Sequence, residues 1–269
     1  MSILKKLIKY VFSLLNIFLY RSIKREELIS FIKLFKIQIP SNINLIRIGS
    51  NHDGGYLVPD ILDQIDICFS AGIGDNIQFE KNLSKYNIKS FGIDHTIQDL
   101  PEKVTNYSFL RKKISSFNDN NNITFERWVK NQNIIDDNLI CQIDIEGDEY
   151  NLVLDTPNEV FKKFKVLVIE FHNLHKINDE IVYNFYINVF KKILENFNIC
   201  HIHVNNAENQ TKIRGIKVPH LLEITYLRKD FYKSDFKEVK IPNNLDRKNV
   251  LNNDDVNFDK NWIDIITKN

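Results

Sequence analysis

Several things are scarce in this 269-residue chain, and each scarcity excludes something. Charge of one sign is missing: 36 Lys and Arg face 35 Asp and Glu, for a net charge of +1. There is therefore no global basic field of the kind that recruits nucleic acid. There are three cysteines and no CxxC pair. Cys68, Cys141 and Cys200 each sit inside an apolar, strand-like run, where a thiol behaves as a small hydrophobe. That excludes a disulfide scaffold and a cysteine zinc site, and it fits a reducing, cytoplasmic compartment. The amino-terminal apolar run, Tyr10 to Tyr20, carries Ser13 and Asn16 and falls short of the ~20 residues a spanning helix needs. No small-residue cleavage site follows it, which argues against a secretory signal. Internal repeats and low-complexity linkers are absent too.

The leading segment is nonetheless distinctive. Lys5, Lys6 and Lys9 precede the run, and Arg21, Lys24 and Arg25 follow it. A basic helix with Phe, Leu and Tyr on one face suits a membrane interface; the other reading docks that face on the rest of the chain. Residues 1–25 are thus expected to make peripheral contact with the inner face of the cytoplasmic membrane or to pack internally. Hydrophobic content of 43% and charged content of 26% are ordinary for a globular protein. The expected organisation is a helical extension over 1–45, a main domain over 46–232 and a tail or lid over 233–269.

Within the main domain, LIRIGSNHDGGYLVPD (45–60) reads as two short strands around a glycine-bearing turn. Apolar strand candidates then recur at 65–70, 88–94, 139–145, 165–172, 198–204 and 220–228, with a short one near 107–114. Helical patterns at 75–86, 124–131, 148–155 and 179–196 separate most of them, and another covers Glu26 to Lys36. Continuous apolar strands alternating with helices imply a mostly parallel α/β sheet covered on both faces. The last two strands have only a loop with Asn205, Asn206 and Gly215 between them, so they are expected to pair antiparallel.

The first of these strands runs into CFSAGIGDNIQFEKNL. Gly72 and Gly74 flank a strand-to-helix turn, with Asp75 or Asn76 suited to the cap. Glycines there let the backbone approach a ligand, and the helix start supplies free N–H groups. Asp94 ends the next strand about twenty residues later, where a carboxylate can accept from two ribose hydroxyls. Nicotinamide and adenosylmethionine cofactors both use such a pair. The full G-x-G-x-x-G pattern fails because position 77 is Ile, and a pyrophosphate needs that third glycine. The departure leans toward the phosphate-free methyl donor.

CQIDIEGDEYNLVL (141–154) crowds four carboxylates at the exit of a core strand. Asp148 and Glu149 are expected to start a helix, where acids complement the dipole by ~0.3–1 kcal/mol each; Glu146 and Gly147 form the turn. Asp144 gains nothing from that dipole and is the functional candidate. VIEFHNLH places Glu170 and His172 on one strand face, and HIHVN does so for His201, His203 and Asn205. Asp144, Glu170 and His172 are the candidate catalytic residues; with His203 they are the candidate set for a divalent metal ion.

Taken together, DGGYLVPD (53–60), FSAGIGDNIQFEKNL (69–83), FGIDHT (91–96), QIDIEGDEYNLVL (142–154), VLVIEFHNLH (166–175) and HVNNAE…VPHLLEITYLRK (203–229) resemble the FkbM-type family of class I S-adenosylmethionine-dependent methyltransferases. The resemblance implies a doubly wound, seven-stranded sheet whose last strand is antiparallel. It implies S-adenosylmethionine as cofactor and O-methyl transfer to a sugar hydroxyl of a bacterial surface glycan or a related small molecule. By position, Gly72 and Gly74 would lie along the methionine moiety, Asp94 would hold the ribose, and Asp144 would sit by the methyl group or its acceptor. Ser70 occupies the place, two residues before the first glycine, where the superfamily usually carries an acid, and Asp75 follows the turn. These two complete the expected cofactor-side set. The alternatives are a non-catalytic binding or scaffold protein that retains the fold, and a nicotinamide-dependent oxidoreductase.

Overall fold

The computed structural model describes residues 3–15, 20–135, 137–232 and 235–267. The strands are β1 (Leu45–Gly49), β2 (Gly55–Pro59), β3 (Ile67–Ala71), β4 (Lys89–Ile93), β5 (Tyr107–Leu110), β6 (Lys113–Ile114), β7 (Asn122–Ile123), β8 (Leu139–Ile143), β9 (Phe164–Phe171), β10 (Phe197–Val204), β11 (Gln210–Ile213), β12 (Ile216–Pro219) and β13 (Leu222–Arg228). The helices are α1 (Ile3–Leu14), α2 (Arg25–Ile32), α3 (Gln78–Ser84), α4 (Phe125–Lys130), α5 (Glu149–Asp155), α6 (Asn158–Phe161), α7 (Glu180–Asn196) and α8 (Lys260–Ile266).

Seven strands form one sheet in the order β10-β13-β9-β8-β3-β4-β5. Pairs from β9 to β5 are parallel, while β13 runs antiparallel to both β9 and β10. This is the α/β architecture expected from the sequence. The central strand β8, LICQI, is buried at every position, as a strand covered on both faces must be. One face carries α4, α5 and α7, through contacts such as Phe69 with Trp128, Phe171 with Tyr150 and Phe171 with Phe190. The other carries α3 and the β1–β2 hairpin, with Tyr56 on Phe79 and the Thr225 hydroxyl donating to the Leu57 carbonyl.

Two features depart from the sequence outline. The connection between β10 and β13, expected to be a loop, contains the β11–β12 hairpin, turned by Arg214 and Gly215 at positive φ. The core also runs across the expected boundaries at residues 45 and 232. Phe31 and Phe35 are fully buried, packing on Phe190 of α7 and on Trp262 of α8. Burying one such side chain is worth about 1.5–3 kcal/mol, so α2 and α8 belong to the same core as the sheet. In α1, by contrast, Ile3, Leu7, Ile8, Tyr10, Val11 and Leu14 are exposed. Among the described residues no helix is long and apolar enough to cross a membrane. Of the expected interfacial segment, residues 1, 2 and 16–19 lie outside the described residues, as do 233, 234, 268 and 269 of the tail.

Candidate active site

Side-chain alternation decides which polar residues meet. On the face covered by α3 and the hairpin, Ser70 stands beside Gln142 in the β3–β8 register. One step nearer the carboxyl ends, Glu170 pairs with Glu223, and Glu223 with His203. The sheet thus presents a polar row toward the crevice at the carboxyl ends of its parallel strands, where open α/β sheets bind ligands.

A cavity of about 310 Å³ opens there, at the lower end of the ~300–1,000 Å³ typical of small-molecule sites. Toward β4 it is lined by Asp94, His95 and Lys112, toward β8 by Tyr56 and Gln142; Gly74, Glu80 and Asp144 also line it. Gly72 and Gly74 both take positive φ, for different reasons. A Cβ on Gly72 would lie 1.5 Å from the Asp144 carbonyl oxygen. That glycine is demanded by the protein's own backbone, which passes close because the Asp144 N–H donates to the Ala71 carbonyl (2.9 Å). A Cβ on Gly74 would meet nothing within 4 Å, so its absence leaves room for a ligand.

Asp94 is 7% exposed and heavily engaged. One oxygen accepts from the backbone N–H groups of Ile73 and Gly74 (2.9 Å each), the other from the Thr96 N–H and hydroxyl (2.6 Å each). Burial opposes its charge, but the donors on Thr96, Gly74 and Ile73 outweigh this and hold the carboxyl below its usual range. Asp94 therefore ties the glycine turn to β4 while lining the cavity. Asp75 also lines it. Ser70 does not: it is fully buried beneath the floor, its hydroxyl hydrogen-bonded to Glu80 and Gln142.

The carboxylates of the 141–154 segment separate by geometry. Glu146 (φ +58°) and Gly147 (φ +109°) make a left-handed turn, and Asp148, at the cap of α5, forms an ion pair with Lys113 (2.7 Å). Glu149 starts α5, as the sequence reading expects. Its side chain is nonetheless completely buried, with Oε1 accepting from the N–H groups of Ile145 (3.2 Å) and Gly147 (2.9 Å) and from His172 Nδ1 (2.9 Å). The turn wraps the backbone around that carboxylate, which fixes the imidazole. His172 Nε2 then faces Glu146 at 3.3 Å, Asp144 at 3.7 Å and Glu170 at 4.0 Å. Burial opposes a charge on His172, but the Glu149 hydrogen bond and the surrounding carboxylates lift it to about 8. Asp144 Oδ1 is buried without a hydrogen-bond partner. Burial raises its carboxyl to about 7, against the opposing pull of His172. Asp144 lines the cavity; His172 and Glu170 stand behind it rather than on the wall.

The expected four-residue metal set does not assemble. Asp144 and His172 group with Glu149, whereas Glu170 groups with Asp53 and Glu223, each set having its ligand atoms within 4.8 Å of one another. His203 belongs to neither. It is turned toward the carboxy-terminal segment, with Nε2 3.2 Å from Asn249 Oδ1 and Nδ1 3.8 Å from Asp246, which also lies 2.9 Å from His201. Its placement follows from β10 being the edge strand, which that segment covers. Sequence reasoning also passed over Glu223 and Glu80. Glu223 carried a signal, a lone acid inside the apolar run HLLEITYLR; Glu80, in the mixed stretch IQFEKNL, carried none.

No protein-family model matches this chain and no curated protein matches it in sequence, so the FkbM resemblance rests on the quoted motifs. Solved structures similar to it include a fibrillarin/Nop5p complex (10% identity, TM-score 0.37, 71% of this chain and 99% of that one). A Methanococcus jannaschii fibrillarin pre-rRNA processing protein gives 7% identity and TM-score 0.39, covering 70% and 83%. An RNA methyltransferase candidate from Pyrococcus horikoshii gives 11% and 0.33, covering 60% and 72%. At these values the likeness adds nothing to what the strand order itself displays.

Proposed function

We propose that this chain is an S-adenosylmethionine-dependent methyltransferase acting on a hydroxyl, with a sugar as the acceptor class. The observation that carries the proposal is the junction at Asp144. On one side lies a cavity at the carboxyl ends of β3, β4 and β8, with the vacant space over Gly74; on the other lies an imidazole held by a buried carboxylate. The cavity suits the cofactor, since it offers a glycine turn, the acid Asp94 beside it and further carboxylates for a cationic ligand. Of its lysines, Lys113 is paired with Asp148 and Lys112 donates to the Asp119 carbonyl, which leaves little to hold a phosphate. When bound, the cofactor supplies a methyl group already activated on a sulfonium.

The protein's own work is then alignment and proton removal. Glu149 accepts from Nδ1–H and so keeps the lone pair of neutral His172 on Nε2, aimed between Asp144, Glu146 and Glu170. An acceptor hydroxyl beside Asp144 would give its proton to that nitrogen as its oxygen takes the methyl. Exposed Glu146 and Asp53 at the rim provide acceptors for neighbouring sugar hydroxyls. Calorimetry with S-adenosylhomocysteine, using NAD as the control, tests the cofactor: the expected result is binding of the first alone. Methyl transfer to glycan acceptors, followed by mass spectrometry with and without a chelator, tests the chemistry. Turnover that persists in EDTA supports His172 as the base. Turnover abolished by EDTA and restored by Mg²⁺ or Mn²⁺ would instead make Asp144 and His172 ligands of a divalent ion.

A further inference from the structure

The floor of the cavity holds a carboxylate that the proposed chemistry does not use. Glu80, on the inward face of α3 beside Phe79, is 2% exposed. One of its oxygens is hydrogen-bonded to the Ser70 hydroxyl, which is also 2.7 Å from Gln142 Oε1; the Gln142 amide reaches the Tyr56 hydroxyl at 3.5 Å. The other oxygen, Oε2, is buried with no hydrogen-bond partner. Among the described residues, no Lys, Arg or His forms an ion pair with Glu80, although it lines the cavity. A buried carboxylate without a cation is unfavourable in low dielectric, and burial accordingly pushes Glu80 up from its usual range. Asp144, the other acid with a buried, unpartnered oxygen on this wall, has His172 beside it. Glu80 has nothing comparable.

We infer that Glu80 is the anchor for the α-ammonium group of a methionyl tail, a role that rests on the methyltransferase reading of the cavity. Its unpartnered oxygen accepts from the ammonium above β3, whose Ser70 it contacts. Ser70, on the strand that leads into the glycine turn, holds the other oxygen in place. Ser70 thereby acts on the cofactor through Glu80 rather than by touching it. The ribose falls to Asp94, so Glu80 reads only the amino-acid part of the ligand.

The test is a two-by-two binding comparison by calorimetry: wild type and Glu80→Gln, each with S-adenosylhomocysteine and with its analogue lacking the amino group. A charge-assisted contact in a buried site is worth roughly 10–100-fold in affinity. Wild type should prefer the amine-bearing ligand by about that factor, and Glu80→Gln should lose the preference while binding the deaminated analogue as wild type does. Glu80→Asp, which keeps the charge but withdraws it by one methylene, should show an intermediate preference and serves if the glutamine variant does not fold. Equal preference in wild type and variants, or none in wild type, would overturn the inference while leaving the cofactor assignment standing. Wild type that binds neither ligand would overturn both.

Discussion

Glu149→Gln exchanges one buried oxygen for an amide at nearly constant shape, and its effect can be worked out from the contacts. Glu149 Oε1 accepts from two backbone N–H groups and from His172 Nδ1. A glutamine with its carbonyl oxygen in the Oε1 position keeps all three contacts, and its NH₂ falls where Oε2 is buried without a partner. The His172 tautomer is therefore kept, with the lone pair still on Nε2. What the variant loses is the charge. The rise of His172 from 6.5 to about 8 corresponds, at 1.36 kcal/mol per pH unit, to ~2 kcal/mol in favour of imidazolium. Burial acts the other way, so without the Glu149 charge the value falls. The base works unprotonated, so the wild-type rate rises with pH through the apparent values of the coupled Asp144–His172 pair, about 7 and about 8. In Glu149→Gln the inflection of kcat/KM should move to lower pH while the maximum falls by up to about 30-fold, the equivalent of ~2 kcal/mol of lost stabilisation for the imidazolium that forms in the step. Stability should fall by no more than about 2 kcal/mol, with S-adenosylhomocysteine affinity unchanged. A pH series of methyl transfer, paired with an NMR titration of the His172 ring, measures both effects. Wild-type turnover with an unmoved inflection in a variant that still binds cofactor would refute the role given to Glu149 and His172.

Three other outcomes follow from the same structure. Gly72→Ala drives a methyl group into the Asp144 carbonyl at 1.5 Å, so urea unfolding should show a loss above the ~1–3 kcal/mol of φ strain alone. Gly74→Ala, which meets no protein atom, should cost only that strain yet weaken cofactor binding; similar unfolding midpoints for the two would refute the close-approach argument. The carboxy-terminal segment is clasped through Asp246, held well below the usual carboxylate range because the donors on His201 and His203 outweigh burial. His203 is raised to about 9, Asp246 and Glu223 outweighing the opposing effect of burial. The His203 contribution is complete below its ordinary 6.5 and fades as pH rises through about 9, whereas that of Asp246 is present above 3.8 and fades only in stronger acid. The stability lost in Asp246→Asn should therefore be larger near about pH 5 than near about pH 10, and equal losses would refute the clasp. Finally, the exposed apolar residues of α1, with Lys6 on the helix and Arg21 and Lys24 after it, should give salt-sensitive sedimentation with anionic vesicles that a chain lacking residues 1–24 does not show; identical sedimentation of both chains would refute it.

Strand identity and order of chemistry along this chain follow from local pattern. Runs such as LICQI and VLVIEF admit little but buried strands, and GIG between a strand and a helix fixes a turn, because those signals need only neighbours in sequence. The same local logic marked Asp144 and His172. What it could not supply was burial. An acid at a helix start costs nothing in water, so Glu149 read as ordinary until the left-handed turn at Glu146–Gly147 closed over it and set it on an imidazole 23 positions away. Glu80 looked like one more charge on an amphipathic helix until packing put its face against Ser70. His203 shares its residue type and strand position with good ligands, yet the edge placement of β10 and the covering carboxy-terminal segment took it elsewhere. The sequence by itself determined which segments are strands of the main sheet and where the crevice lies, since hydrophobic periodicity and glycine conformation are local properties. Only the tertiary structure decided which carboxylates are dry and what each one faces, because desolvation and hydrogen-bond partners are set by chain segments far apart in sequence.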